Sequence, residues 1–187
     1  MYEAGIRTYT ATAELKDKKY TTKKDVKVYL FDKTKTGIQI YNHKIYYVKN
    51  GVVLKSFNGF AVYNNKVYYI SSGEFDKTVS GLYKGTISGK SGWYVVKAGL
   101  YDNRFRGFLS NTYGWWYCNN GTIDFGNTGI YTGTVNGQTA DWYVNGGKVT
   151  FTDTVARGKD GMYVIRNGRV DYSFTGIASN SEGKWFV

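Results

Sequence analysis

The stretch GFLSNTYGWWYCNNGTIDFGNTG, from Gly107 to Gly129, holds two short apolar runs, Trp115 to Cys118 and Thr122 to Phe125, on either side of Asn119-Asn120-Gly121. Asn and Gly accept positive φ at little steric cost, so the stretch predicts a β-hairpin closed by a tight turn. The pattern returns along the chain. Aligned on the hairpin glycine, the copies place Gly51, Gly73, Gly99, Gly121, Gly147 and Gly168 in one column, spaced 22, 26, 22, 26 and 21 residues apart. Such a period marks a repeat array.

Other columns follow from the same alignment. Five residues before the glycine stand Tyr46, Tyr68, Tyr94, Trp116, Trp142 and Tyr163, and two residues after it Val53, Phe75, Tyr101, Ile123, Val149 and Val170. Eight residues after it lie Gly59, Gly81, Gly107, Gly129 and Gly176, with Val155 breaking the column. The two 26-residue spacings arise from extra residues within GLYKGTI, Gly81 to Ile87, and GIYTGTV, Gly129 to Val135. Six hairpins are expected, at Ile45 to Leu54, Val67 to Asp76, Trp93 to Asp102, Trp115 to Phe125, Trp142 to Phe151 and Met162 to Tyr172. A further short strand is expected before each, and a partial seventh copy begins at Lys184.

The predicted fold is all-β, an elongated solenoid of hairpins over residues 37–187, because a repeat that cannot bury its own apolar face gains a core only by stacking. Residues 1–36 fall outside the columns. They contain strand-like runs from Ile6 to Ala13 and from Val26 to Phe31, and are expected to form an N-terminal cap or the end of a neighbouring domain.

Composition narrows the function. The chain of 187 residues has no proline, 19 tyrosines and a net charge of +11. The charge suits an anionic partner such as teichoic acid, an acidic lipid surface or nucleic acid, without choosing among them. No apolar run approaches the roughly 18 residues that span a membrane. Met1 is followed by YEAGIRTYTATAEL, which lacks the apolar core of a secretory signal, so an exported protein is expected here as a mature fragment. Cys118 is the single cysteine, and its neighbours suggest a packed thiol.

Catalysis finds few candidates. His43, the single histidine, sits beside Asn42 in a turn and reads as a solvated loop residue rather than a base. Asp76, Asp102, Asp124 and Asp171 occupy one repeated position three residues after the glycine, which suggests side chains that bond local turn backbone. No metal-ligand spacing, phosphate-cradling loop or nucleophile constellation is present, and no catalytic residue, metal or cofactor is expected.

Within a strand, adjacent residues point to opposite faces, so the aromatic column from Tyr46 to Tyr163 is expected to face the core. The residues beside it then face outward, and Trp93, Trp115, Tyr117 and Tyr143 are the expected ligand-binding rings, close to Asn111, Asn119 and Asn120.

The aromatic pair, Asn-Gly turn, apolar strand, acidic residue and Thr-Gly of YGWWYCNNGTIDFGNTG and MYVIRNGRVDYSFTGIASN resemble the cell-wall-binding repeats of Gram-positive surface proteins. That superfamily includes choline-binding repeats and the glycan-binding repeats of clostridial large toxins. The resemblance covers about Gly37 to Val187. It implies a left-handed superhelix of hairpins, an extracellular or cell-surface location, and ligands held between successive hairpins, with teichoic acid or peptidoglycan as partners. Choline-binding members carry a tryptophan after the linking glycine as one cage wall; here the position holds Phe60, Leu82, Phe108, Ile130, Ala156 or Ile177. A cation needs aromatic faces on more than one side, so sugar stacking is the better expectation. The alternative is a structural spacer or adhesin stalk whose rings only cover the next hairpin. Single-stranded nucleic acid stands a distant third.

Overall fold

The computed structural model describes residues 5–28 and 30–187. The described residues form 22 strands and no helix, all strands pairing antiparallel. They belong to two compact units, Met1–Asp76 and Lys77–Val187.

The first unit opens with a long hairpin of β1 (Gly5–Leu15) and β2 (Lys18–Val28), paired along its whole length. Every residue from Thr8 to Lys24 is exposed, so that part of the hairpin builds no core. The run expected from Val26 to Phe31 divides: β2 ends at Val28, Tyr29 lies outside the described residues, and Phe31 is buried with its ring edge against Tyr41 and Tyr46.

Two repeats follow, β3 (Gly37–Tyr41), β4 (Lys44–Lys49) and β5 (Val52–Val53), then β6 (Gly59–Tyr63), β7 (Lys66–Ser71) and β8 (Glu74–Phe75). The second unit continues with β9 (Gly81–Ile87), β10 (Lys90–Lys97) and β11 (Leu100–Tyr101), and β12 (Gly107–Asn111), β13 (Gly114–Asn119) and β14 (Thr122–Ile123). Next come β15 (Gly129–Val135), β16 (Gln138–Asn145) and β17 (Lys148–Val149), and β18 (Thr154–Arg157), β19 (Met162–Arg166) and β20 (Arg169–Val170). The chain ends on β21 (Ile177–Asn180) and β22 (Gly183–Phe186).

Each repeat is thus a hairpin with a two-residue third strand. The hairpin glycine closes the short arm of the repeat, and the long arm lies on its other side, where the preceding strand pairs with the aromatic one. The partial seventh copy starts at Ile177, upstream of the Lys184 read from the sequence, as the hairpin of β21 and β22, because its first strand lies upstream of the aromatic column. The 26-residue spacings lengthen the first hairpin: β9 and β10 have 7 and 8 residues where β12 and β13 have 5 and 6.

The third strand joins repeats as well as closing its own. Its first residue pairs back onto the aromatic column of the preceding repeat, as Tyr46 with Glu74, Tyr94 with Thr122, Trp116 with Lys148 and Trp142 with Arg169. The hairpin glycine adds two bonds. Gly121 N–H donates to the Phe105 carbonyl at 3.0 Å, and its own carbonyl accepts from Val95 N–H at 2.7 Å. Gly147 and Gly168 repeat both bonds. Asn120 and Gly121 both have positive φ, 50° and 73°, and a Cβ on Gly121 would lie 2.2 Å from the Asp102 carbonyl oxygen. Turn geometry and close backbone approach therefore demand glycine together.

Side chains make a second tie between repeats. The backbone N–H preceding the hairpin glycine donates to Asn58 from Ser72, to Ser80 from Ala98, to Thr128 from Gly146 and to Asp153 from Asn167. In the remaining copy of the second unit that acceptor position holds Arg106, whose Nε donates instead to the Tyr117 hydroxyl at 2.7 Å.

Burial corrects the facing derived from the sequence. The most completely buried column lies three residues before the hairpin glycine: Val48, Ile70, Val96, Cys118, Val144 and Ile165 are each exposed by no more than 1%. It shares a strand face with the aromatic column, of which Tyr46, Tyr94 and Trp142 are buried while Tyr68, Trp116 and Tyr163 are only partly so. The opposite face is also packed, since Val95, Tyr117 and Val164 are buried. A strand between two neighbouring repeats loses solvent on both sides, so alternation along it does not separate core from surface.

Candidate binding grooves

The four rings expected to bind a ligand take three different environments. Tyr117, read from the sequence as outward, is buried: its ring stacks on Tyr131 with centroids 4.1 Å apart and meets the edge of Phe108. Trp115 is half-buried on the same core, and its indole N–H donates to Asn136 Oδ1 of the next repeat at 2.8 Å. These two rings pack repeat against repeat. Trp93 and Tyr143 line open grooves, but not the same one.

The first groove, about 360 Å³, lies where β9 meets the turn after β12, and it is walled by Leu82, Tyr83, Trp93, Ser110, Asn111 and Thr112. Trp93 carries the edge of Tyr113, a ring 64% exposed, at 5.9 Å. The second groove, about 710 Å³, lies at the equivalent place further along. Thr154, Val155, Ala156, Met162, Asn180 and Ser181 stand there in the alignment where Ser80, Gly81, Leu82, Trp93, Asn111 and Thr112 stand in the first. The second groove reaches further, to Tyr131 and Tyr143 of β15 and β16, and Trp185 of β22 closes its far side. Its floor includes Gly158, where a Cβ would lie 2.7 Å from the Tyr163 ring.

Polar groups rim both grooves. Arg157, Lys159 and Glu182 bring charge to the second, together with Asn145 and Asn180. No carboxylate or cation lines the first. Sequence reasoning missed Met162 and Trp185 because one is not aromatic and the other falls in the terminal copy. The signal available was alignment of Met162 with Trp93.

The aspartate column is structural, as its repetition suggested. Asp102, Asp124 and Asp171 each accept, through Oδ1, the backbone N–H two residues on, at 3.1, 3.1 and 3.0 Å. Asp32 does the same for Thr34 at 2.8 Å. The Ser173 hydroxyl and N–H hold the Asp171 carboxyl below its ordinary pKa. Burial pushes the Cys118 thiol up to about 12, which makes it a core residue and not a nucleophile. His43 occupies a turn with φ of 61° and is exposed. Among the described residues no cluster of His, Cys, Asp and Glu could hold a metal, and no helix is long and apolar enough to cross a membrane.

A family model described as a choline-binding repeat matches residues 34–54, 105–124 and 130–150. In those three segments, about a third of its length, the chain is similar to choline-binding repeats. Each matched segment takes in a hairpin, the last one from its second residue, with the whole of its third strand. No curated protein gives a significant match to the chain. Choline-binding repeats are cell-wall-binding modules.

Proposed function

We propose that this chain is a non-catalytic module of the bacterial cell surface that attaches to wall polymer or glycan through grooves between successive repeats. The observation that carries it is the recurrence of one groove at equivalent positions in two places, each lined by a ring or thioether and by an asparagine. A pyranose presents an apolar face and a polar rim, and such a groove offers both surfaces. Trp93 and Tyr143 are the rings that meet ligand; Trp115 and Tyr117 serve the packing of repeat on repeat. Two shallow sites on one chain would act together on a polymer, gaining avidity without strong single contacts.

A second reading is a spacer that binds nothing small. The bonded indole of Trp115 and the stacked ring of Tyr117 favour it, since both serve repeat packing. Sedimentation of the purified chain with Gram-positive walls, intact and after teichoic acid extraction, separates the two. Attachment is expected to intact walls and to weaken for Trp93→Ala and Tyr143→Ala. Absence of the wild-type chain from both pellets would replace attachment with the spacer.

A further inference from the structure

Six asparagines stand directly before a glycine: Asn50, Asn58, Asn120, Asn136, Asn145 and Asn167. In such a pair the glycine backbone nitrogen can attack the asparagine side-chain amide, because the glycine carries no side chain to obstruct it. The fold restrains five of these pairs. Gly121 and Gly168 N–H donate to the Phe105 and Thr152 carbonyls at 3.0 and 2.9 Å, and Gly146 N–H donates to the Thr128 hydroxyl at 3.1 Å. Gly59 is buried and pairs with Ile70 in the β6–β7 ladder, and Gly51 is buried in its turn. Gly121 and Gly168 are also pressed on the preceding repeat, where a Cβ would lie 2.2 and 2.7 Å from a carbonyl oxygen.

Gly137 differs from the other five in being exposed. With Asn136 it forms the two-residue turn between β15 and β16, closed by the pairing of Val135 with Gln138. Its N–H donates to no group among the described residues, and a Cβ on it would meet nothing within 4 Å. The glycine side of this turn can therefore rearrange without losing a contact between repeats. Asn136 is exposed as well, and its Oδ1 accepts the Trp115 indole N–H at 2.8 Å. That donor leaves the amide carbon open to attack and stabilises negative charge on Oδ1 as the nitrogen adds.

We propose that Asn136 is a site of spontaneous deamidation in the folded protein, selected over the other five Asn-Gly pairs. The Gly137 nitrogen gives its proton to solvent and forms a bond to Asn136 Cγ. The Cγ–Nδ2 bond then breaks, and ammonia leaves with a proton from water. Water opens the resulting five-membered imide at one of its two carbonyls, giving aspartate or isoaspartate. Both products add a negative charge to the tip of the long arm. Isoaspartate also routes the main chain through Cβ and Cγ, so the oxygen that held Trp115 becomes a main-chain carbonyl and a tie between repeats is lost. None of this depends on whether the chain attaches to walls.

The test holds the folded full chain in ¹⁸O-water at neutral and at mildly alkaline pH and follows each asparagine by peptide mass spectrometry. Asn136 is expected to convert about fivefold or more faster than any of the other five, since a retained hydrogen bond or burial restrains the nitrogen there. Alkali should speed it, because the attacking nitrogen must lose its proton. In urea the six rates should converge. The Trp115 indole signal of the ¹⁵N-labelled chain is expected to gain a second position as product accumulates, and Gly137→Ala, whose methyl group obstructs the nitrogen, should slow Asn136 alone. Another of the six leading in the folded chain would overturn the proposal. So would an equal lead for Asn136 in urea, since local sequence and not the fold would then select it.

Discussion

Gly121 and Gly137 have nearly the same backbone, with φ of 73° and 75°, and differ in their surroundings. A Cβ on Gly121 would lie 2.2 Å from a carbonyl oxygen of the preceding repeat, whereas one on Gly137 would meet nothing within 4 Å. Left-handed backbone costs a non-glycine residue about 1–2 kcal/mol, so Gly137→Ala should lose about that much. Gly121→Ala should lose at least about 2 kcal/mol more, because the obstructing atom is backbone and cannot rotate away. Urea midpoints of the two variants check this. Equal losses would mean that the turn alone, and not the approach between repeats, explains the column.

The hairpin with its third strand is the element that matters, and its aromatic residues are not equivalent. Trp142 is 2% exposed, donates its indole N–H to the Gly133 carbonyl at 3.0 Å and has Arg169 over its ring at 6.0 Å. Trp142→Ala should cost about 3–5 kcal/mol as a large cavity in the core. Trp115→Phe keeps the ring and removes the bond to Asn136, for an expected cost of about 0.5–1.5 kcal/mol. Thermal or denaturant unfolding gives both numbers. A Trp115→Phe loss as large as that of Trp142→Ala would show that Trp115 is part of the central core and unsuited to any place beside a ligand.

For the molecule as a whole the relevant quantity is charge. The net charge of +11 is spread over many exposed lysines and arginines, and ion pairs among the described residues include Lys35 with Asp32 and Arg166 with Asp153, both at the surface. Most of that charge is open to an external anion. The screening length falls from about 10 Å at 0.1 M salt to about 3 Å at 1 M, so attachment to intact walls should decline across that range. Walls stripped of teichoic acid should show little salt dependence, since stacking of sugars on Trp93 and Tyr143 does not rely on charge. Identical salt curves on both materials would remove the anionic polymer from the account.

The sequence alone determined the repeat, its period, the turns and the aspartates that close them, because each depends on one residue's own backbone preference or on a bond to a neighbour two positions away. It also distinguished the 22-residue from the 26-residue repeats. Only the tertiary structure decided which rings remain open. Trp115 and Tyr117 are as aromatic as Trp93, yet their exposure is set by Asn136 and Tyr131, 21 and 14 residues further on in the next repeat. The same holds for Asn111 and Asn180. Both accept the backbone N–H two residues on and an indole N–H five residues on, and they differ in whether a carbonyl of the preceding repeat reaches the amide. Local pattern cannot report that distance, since packing between repeats sets it.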